Sequence, residues 1–138
     1  MNHDIFIFMF QEGTNVDIDM WPILIIRSGD TDDADIAERT LAVVEELYQR
    51  KKEPYVTVID ASNGRRPSPA QRYLQVEFRR AHEEHVKTYC RGFALISKSE
   101  ILKAVATAMH WIKSPDTATK VFTDMDSALA WANAQLEI

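Results

Sequence analysis

YVTVID, Tyr55 to Asp60, is the segment from which the rest of the chain can be placed. Its run of β-branched residues, Val56 to Ile59, restricts side-chain rotation and favours extended backbone. Apolar side chains fall on both alternating sets, which predicts a strand covered on both faces, as in the middle of a parallel sheet. Downstream, Asn63-Gly64 marks a turn. Ser68-Pro69-Ala70-Gln71 then reads as a helix start, in which Ser68 caps, Pro69 suits the first helical position and Gln71 completes a capping box. The spacing predicts a helix to about Tyr89 with Leu74, Phe78, Ala81, His85 and Tyr89 inward. Upstream, Asp30-Thr31-Asp32-Asp33 supplies acceptors and negative charge for the start of a helix that runs to about Arg50. Ile36, Thr40, Val43, Val44 and Leu47 share one face of it, Arg50-Lys51-Lys52 suits its negative end, and Pro54 stops it.

The same reading extends to both ends. Ile5 to Phe10 (IFIFMF) and Trp21 to Arg27 (WPILIIR) are expected strands, paired as a hairpin or lying at a sheet edge, with Gln11 to Met20 as the turn between them. Gly92 resets the chain before a strand at Phe93 to Ile96. Ser97-Lys98-Ser99-Glu100 opens a third helix to about Lys113, broken by Pro115. Ile101, Val105, Ala108, Met109 and Ile112 share a face of that helix. Lys120 to Thr123 forms a short strand, and Asp124 caps a final helix through Leu136 with Leu129, Ala132 and Leu136 inward. The order β-β-α-β-α-β-α-β-α predicts an α/β fold, a mostly parallel sheet flanked by four helices joined by right-handed crossovers. With no linker or repeat, residues 1–138 are expected to form a single domain.

Composition narrows the function. At 46% apolar and 27% charged residues the chain has enough side chain to build a core, which argues against disorder. A net charge of −5 disfavours non-specific binding to nucleic acid or anionic membrane. The one cysteine, Cys90, precludes an internal disulfide and suits a reducing compartment, and its neighbours make it a core residue. No stretch approaches a membrane span and the apolar start is too short for a signal-peptide core, so cytoplasmic residence is expected.

In a parallel sheet, ligands bind beyond the carboxyl ends of the strands. Those ends hold no nucleophile elbow, phosphate-binding loop or dinucleotide fingerprint. The expectation is therefore no catalytic residue, no metal and no cofactor. His82 and His85 have helical metal-ligand spacing but no third ligand nearby in sequence, so they read as a half-exposed polar face with His85 partly packed. The acidic cluster with Asp60 invites a phospho-receiver reading, which fails because the acidic turn follows the second strand and one helix is lacking. Ser68 reads first as a cap; a phosphate there would sit at a helix N-terminus within reach of Arg65, Arg66 and Arg72. From Arg65 to Arg91 positive charge exceeds negative, and Arg65, Arg66, Arg72, Arg79 and Arg80 are the candidate docking surface for an acidic partner. Trp111 and Trp131 read as core or near-core.

Three stretches carry a family resemblance: VTVIDASNGRRPSPAQR (Val56–Arg72), RGFALISKSEILKAVATAMHWI (Arg91–Ile112) and VFTDMDSALAWANAQL (Val121–Leu136). With the element order, they resemble the STAS fold of bacterial anti-sigma-factor antagonists, and the C-terminal half is closer to the SpoIIAA-like group. The resemblance implies a non-catalytic regulatory module that docks a partner protein such as a regulator or kinase. It implies Ser68 as the phosphoacceptor, although Arg66-Pro67-Ser68-Pro69 stands where that branch carries an Asp-Ser-Ser/Thr-Gly motif. Neither nucleic acid nor membrane insertion is implied, and homo-oligomerisation is left open. The SpoIIAA-like group also resembles the CRAL-TRIO lipid-binding fold. That likeness gives the alternative of a domain for a small hydrophobic ligand or lipid, which requires an apolar cavity of at least about a few hundred Å³.

Overall fold

The structure, a computed structural model, describes residues 14–27, 34–62, 68–98 and 118–137. Its strands are β1 (Val16–Asp17), β2 (Ile23–Arg27), β3 (Tyr55–Asp60), β4 (Cys90–Ile96) and β5 (Thr119–Phe122), side by side in that order. β1 pairs antiparallel with β2, and every other neighbouring pair is parallel. Among the described residues the helices are α1 (Ala34–Arg50), α2 (Pro69–Ala81), α3 (Glu83–Tyr89) and α4 (Met125–Leu136). The chain is thus an α/β fold on a mostly parallel sheet, and YVTVID is its central strand, with Tyr55 to Val58 fully covered.

Register assigns the two faces. The rows Leu24–Thr57–Phe93 and Ile26–Ile59–Leu95 lie on one face, and Ile25–Val58–Ala94 lies between them on the other. The first face packs Val43, Val44, Leu47 and Tyr48 of α1 and Val86 of α3 against Leu24, Tyr55 and Cys90. The second packs Ala128 and Ala132 of α4 against Ile23, Ile25, Val56, Val58, Ala94 and Ile96. On the α1 side, burying a Val or Leu stabilises by about 1.5–3 kcal/mol each.

Several expectations are corrected. Gln11 to Met20 is not wholly a turn: Val16, β-branched and buried, pairs with Ile26, and Asp17 with Ile25. Among the described residues the antiparallel neighbour of β2 is β1; Ile5 to Phe10 lies outside the described residues. The helix expected to reach Tyr89 breaks at His82, where φ is −114° and ψ is 20°. There the His82 N–H donates to the carbonyls of both Phe78 and Arg79, and its ring Nδ1 lies 2.8 Å from the Phe78 carbonyl. The ring also stacks on Phe78, 4.2 Å between centroids. The break redirects the chain, so Val86 is buried and Ala81 is exposed.

β4 starts at Cys90, earlier than Phe93, because Tyr55 pairs with Cys90 across a bulge and the Cys90 thiol is buried against the Gly92 carbonyl at 3.3 Å. Gly92 is therefore no break. It sits within the strand, and a Cβ there would lie 2.8 Å from the Trp131 ring. β5 begins one residue before the expected strand, and the helix expected to open at Ser97-Lys98-Ser99-Glu100 and run to about Lys113, with Trp111, lies outside the described residues beyond Lys98.

Candidate functional site

α2 is amphipathic yet contributes no buried residue. Its amino end is well made. Ser68 Oγ accepts the Gln71 N–H at 3.1 Å, Gln71 Oε1 accepts the Ser68 N–H at 3.0 Å, and Pro69 follows the cap. Local signals hold the helix together, but little holds it down. α1 lies closer in, and the sheet beneath α2 presents Ile59, Phe93 and Leu95, all incompletely covered.

The consequence is a cavity of about 300 Å³ between α1, α2 and the sheet. Ile26, Thr57, Ile59 and Phe93 form the floor, Thr40, Leu41 and Val44 one wall, and Leu74, Phe78 and Arg79 the other. Thr57, buried at the floor, has its hydroxyl 3.8 Å from the Cys90 sulfur. Thr40 is satisfied locally: its hydroxyl donates to the Ile36 carbonyl at 2.7 Å and accepts the Asn15 N–H at 3.2 Å. The lining thus joins apolar side chains from the sheet and α1 to a row of polar ones on α2, the mixture found in small-molecule sites.

One end is closed by stacked rings. Tyr48 lies 4.2 Å from His85 and 5.6 Å from His82, centroid to centroid, and Tyr55 packs beside it at 5.8 Å. Burial pushes the Tyr48 phenol up to about 12 and raises that of Tyr55 further. Burial also lowers the His85 pKa, helped by the charges of Lys52 and His82. The Cys90 thiol is raised by burial against hydrogen bonds that pull the other way. Each group is biased to its neutral form, which suits a packed wall better than proton transfer near neutral pH. Among the described residues the buried His85 Nε2 has no hydrogen-bond partner, and the Tyr55 hydroxyl has only the Tyr48 phenol beside it. Among the described residues no three His, Cys, Asp or Glu side chains gather as a metal site. His82 Nε2 instead faces Glu45 at 3.7 Å.

The predicted site residues divide. Ser68 is exposed at the cap of α2. Arg72 and Arg80 are exposed on that helix, and Arg80 lies 3.4 Å from Glu77. Arg79 is exposed as well but borders the cavity, with its guanidinium carbon 5.1 Å from the Phe93 ring centroid. Arg65 and Arg66 lie outside the described residues. The outward surface of α2 adds Tyr73 and Val76, exposed at 65% and 51%. Sequence reasoning carried a ligand cavity as the alternative but did not foresee its place beneath α2. The available signal was the inner stripe of α2, where Gln71, Gln75, Arg79 and His82 alternate with Leu74 and Phe78, a face too polar to seal a core.

A mostly parallel sheet with helices on both faces defines an α/β module. The chain belongs to the SpoIIAA-like family, whose model matches residues 23–133. Among solved structures it is similar to an uncharacterized DUF3478-family protein with a SpoIIAA-like fold from Shewanella loihica PV-4. The two share 16% identity over 85% of this chain and 90% of that one, with a TM-score of 0.65, a likeness of fold. No curated protein matches the chain. Among the described residues no helix is long and apolar enough to cross a membrane.

Proposed function

We propose that the protein is a binding module without chemistry of its own, and that its ligand is a small apolar or amphiphilic molecule held beneath α2. The observation that carries this reading is the cavity of about 300 Å³, the feature that separates a ligand-binding domain from a purely surface-docking one. That volume sits at the small end of ligand pockets, which favours a compact ligand over a whole phospholipid. Titration with naphthalene, followed by its fluorescence, tests it. Saturable one-to-one uptake is expected, abolished in Leu74→Trp, which fills the cavity from α2. Absence of saturable uptake, or uptake unchanged in the filled variant, rejects the reading.

A second reading rests on the outward surface of α2. Exposed Tyr73 and Val76 beside Arg72 and Arg80 support docking of an acidic partner protein, with Ser68 at the end of the same helix as the position where a phosphate would alter charge. For a candidate partner of that kind, Arg72→Glu with Arg80→Glu is expected to weaken the complex about tenfold or more, with the melting temperature unchanged. An unaltered Kd in the double variant counts against this docking surface.

A further inference from the structure

Among the described residues the charges around the cavity are unequal. The described residues that line it include Arg27, Arg79 and His82, and neither Asp nor Glu. Arg27 is matched by Asp17 at 3.6 Å and His82 by Glu45 at 3.7 Å. No carboxylate among the described residues lies within ion-pair distance of Arg79. Its side chain is exposed, and its guanidinium lies 5.1 Å from the centre of the Phe93 ring that forms part of the floor, a cation–π contact. A cation–π contact leaves the guanidinium N–H groups without a carboxylate, and the planar N–H fork can pair with one through two parallel hydrogen bonds.

On the reading of this cavity as a ligand site, on which the inference rests, we propose that the occupant is a small free carboxylate. Its acid group pairs with Arg79 at the wall, and its apolar part lies over Ile59 and against Leu41 and Leu74. Size bounds it further. At roughly 30 Å³ per water-sized volume, the cavity of about 300 Å³ takes about ten non-hydrogen atoms, the size of a medium-chain fatty acid or a one-ring aromatic acid. Selectivity follows from the imbalance: a carboxylate gains a charge-assisted pair with the cation, whereas a neutral alcohol can accept only a weaker, single hydrogen bond from it.

The test compares sodium octanoate with n-octanol, two chains of matched length, by calorimetry on the full chain near neutral pH. Octanoate is expected to bind more tightly by about tenfold or more, the size of one charge-assisted hydrogen-bonded pair. Arg79→Gln is expected to remove that advantage and leave octanol binding unchanged, and Arg79→Lys to restore part of it. Leu74→Trp is expected to exclude both. Equal affinities in the wild type, or equal losses in Arg79→Gln, overturn the carboxylate assignment while naphthalene uptake still upholds the cavity. Octanoate binding that survives Leu74→Trp overturns it too, because the acid then sits outside. Circular dichroism and melting of each variant separate lost binding from lost folding.

Discussion

The two faces of the sheet are built from similar strands and end differently. On the α4 face, small residues bring the helix onto the sheet. Ala128 and Ala132 are fully buried, and the Trp131 ring lies against Gly92 with no room for a methyl group. On the other face α1 packs as closely, through Val43, Val44 and Leu47, yet α2 stands away and leaves a hollow. The difference lies in the helices. α4 presents alanine where it meets the sheet, so backbones approach; α2 presents glutamine, arginine and histidine among its apolar residues, whose polar ends resist full burial. One face spends its apolar surface on stability, and the other keeps part of it available.

The largest expected effect breaks this contrast within a single face. Leu47, fully buried on α1, and Leu74, half-buried on α2, face the same side of the sheet. Leu47→Ala is expected to cost about 2–5 kcal/mol, the transfer term plus the cavity it leaves. Leu74→Ala removes a side chain already bordering empty space and is expected to cost about 1 kcal/mol or less. Urea denaturation of both variants measures the pair. Equal losses would mean that α2 is sealed as tightly as α1.

The sequence made some of this legible and hid the rest for physical reasons. YVTVID could be placed at the centre because β-branched residues on both alternating sets suit a two-sided strand. The caps at Ser68 and Asp124 could be read because they are local: Ser68 pairs with Gln71, and Asp124 accepts the Ser127 N–H at 2.7 Å. The break at His82 was not legible, since it depends on a ring stacking on Phe78 and meeting Tyr48 from α1. Nor was the strand at Val16, whose pairing residue is ten positions on. The arginines show the limit most clearly. Arg79 and Arg80 are indistinguishable as letters in a basic run, yet one lines the cavity and its neighbour faces Glu77. Helical phase sets that division, and the inner direction of α2 depends on how far it stands from the sheet.

The smaller effect sharpens the comparison from the tight side. Gly92→Ala places a methyl carbon 2.8 Å from one carbon of the Trp131 ring and 3.1 Å from another, closer than real contacts allow, so one partner must move. The outer edge of an indole can swing when its surroundings are loose. Here Phe122 packs on the same ring with centroids 5.7 Å apart, and the Ala118 carbonyl lies 3.4 Å from the new methyl. Movement of the ring therefore strains β5 and the turn of α4 that carries Ala128 and Ala132. Overpacking of this kind costs about 1–3 kcal/mol, and the lower part of that range is expected because Trp131 is only partly buried. The backbone adds no penalty of its own, since alanine accepts strand geometry at least as well as glycine. A melting temperature unchanged or raised in Gly92→Ala would mean the ring yields freely. The α4 face would then be as loose as the one beneath α2, and the contrast between the faces would reduce to the presence of one hollow.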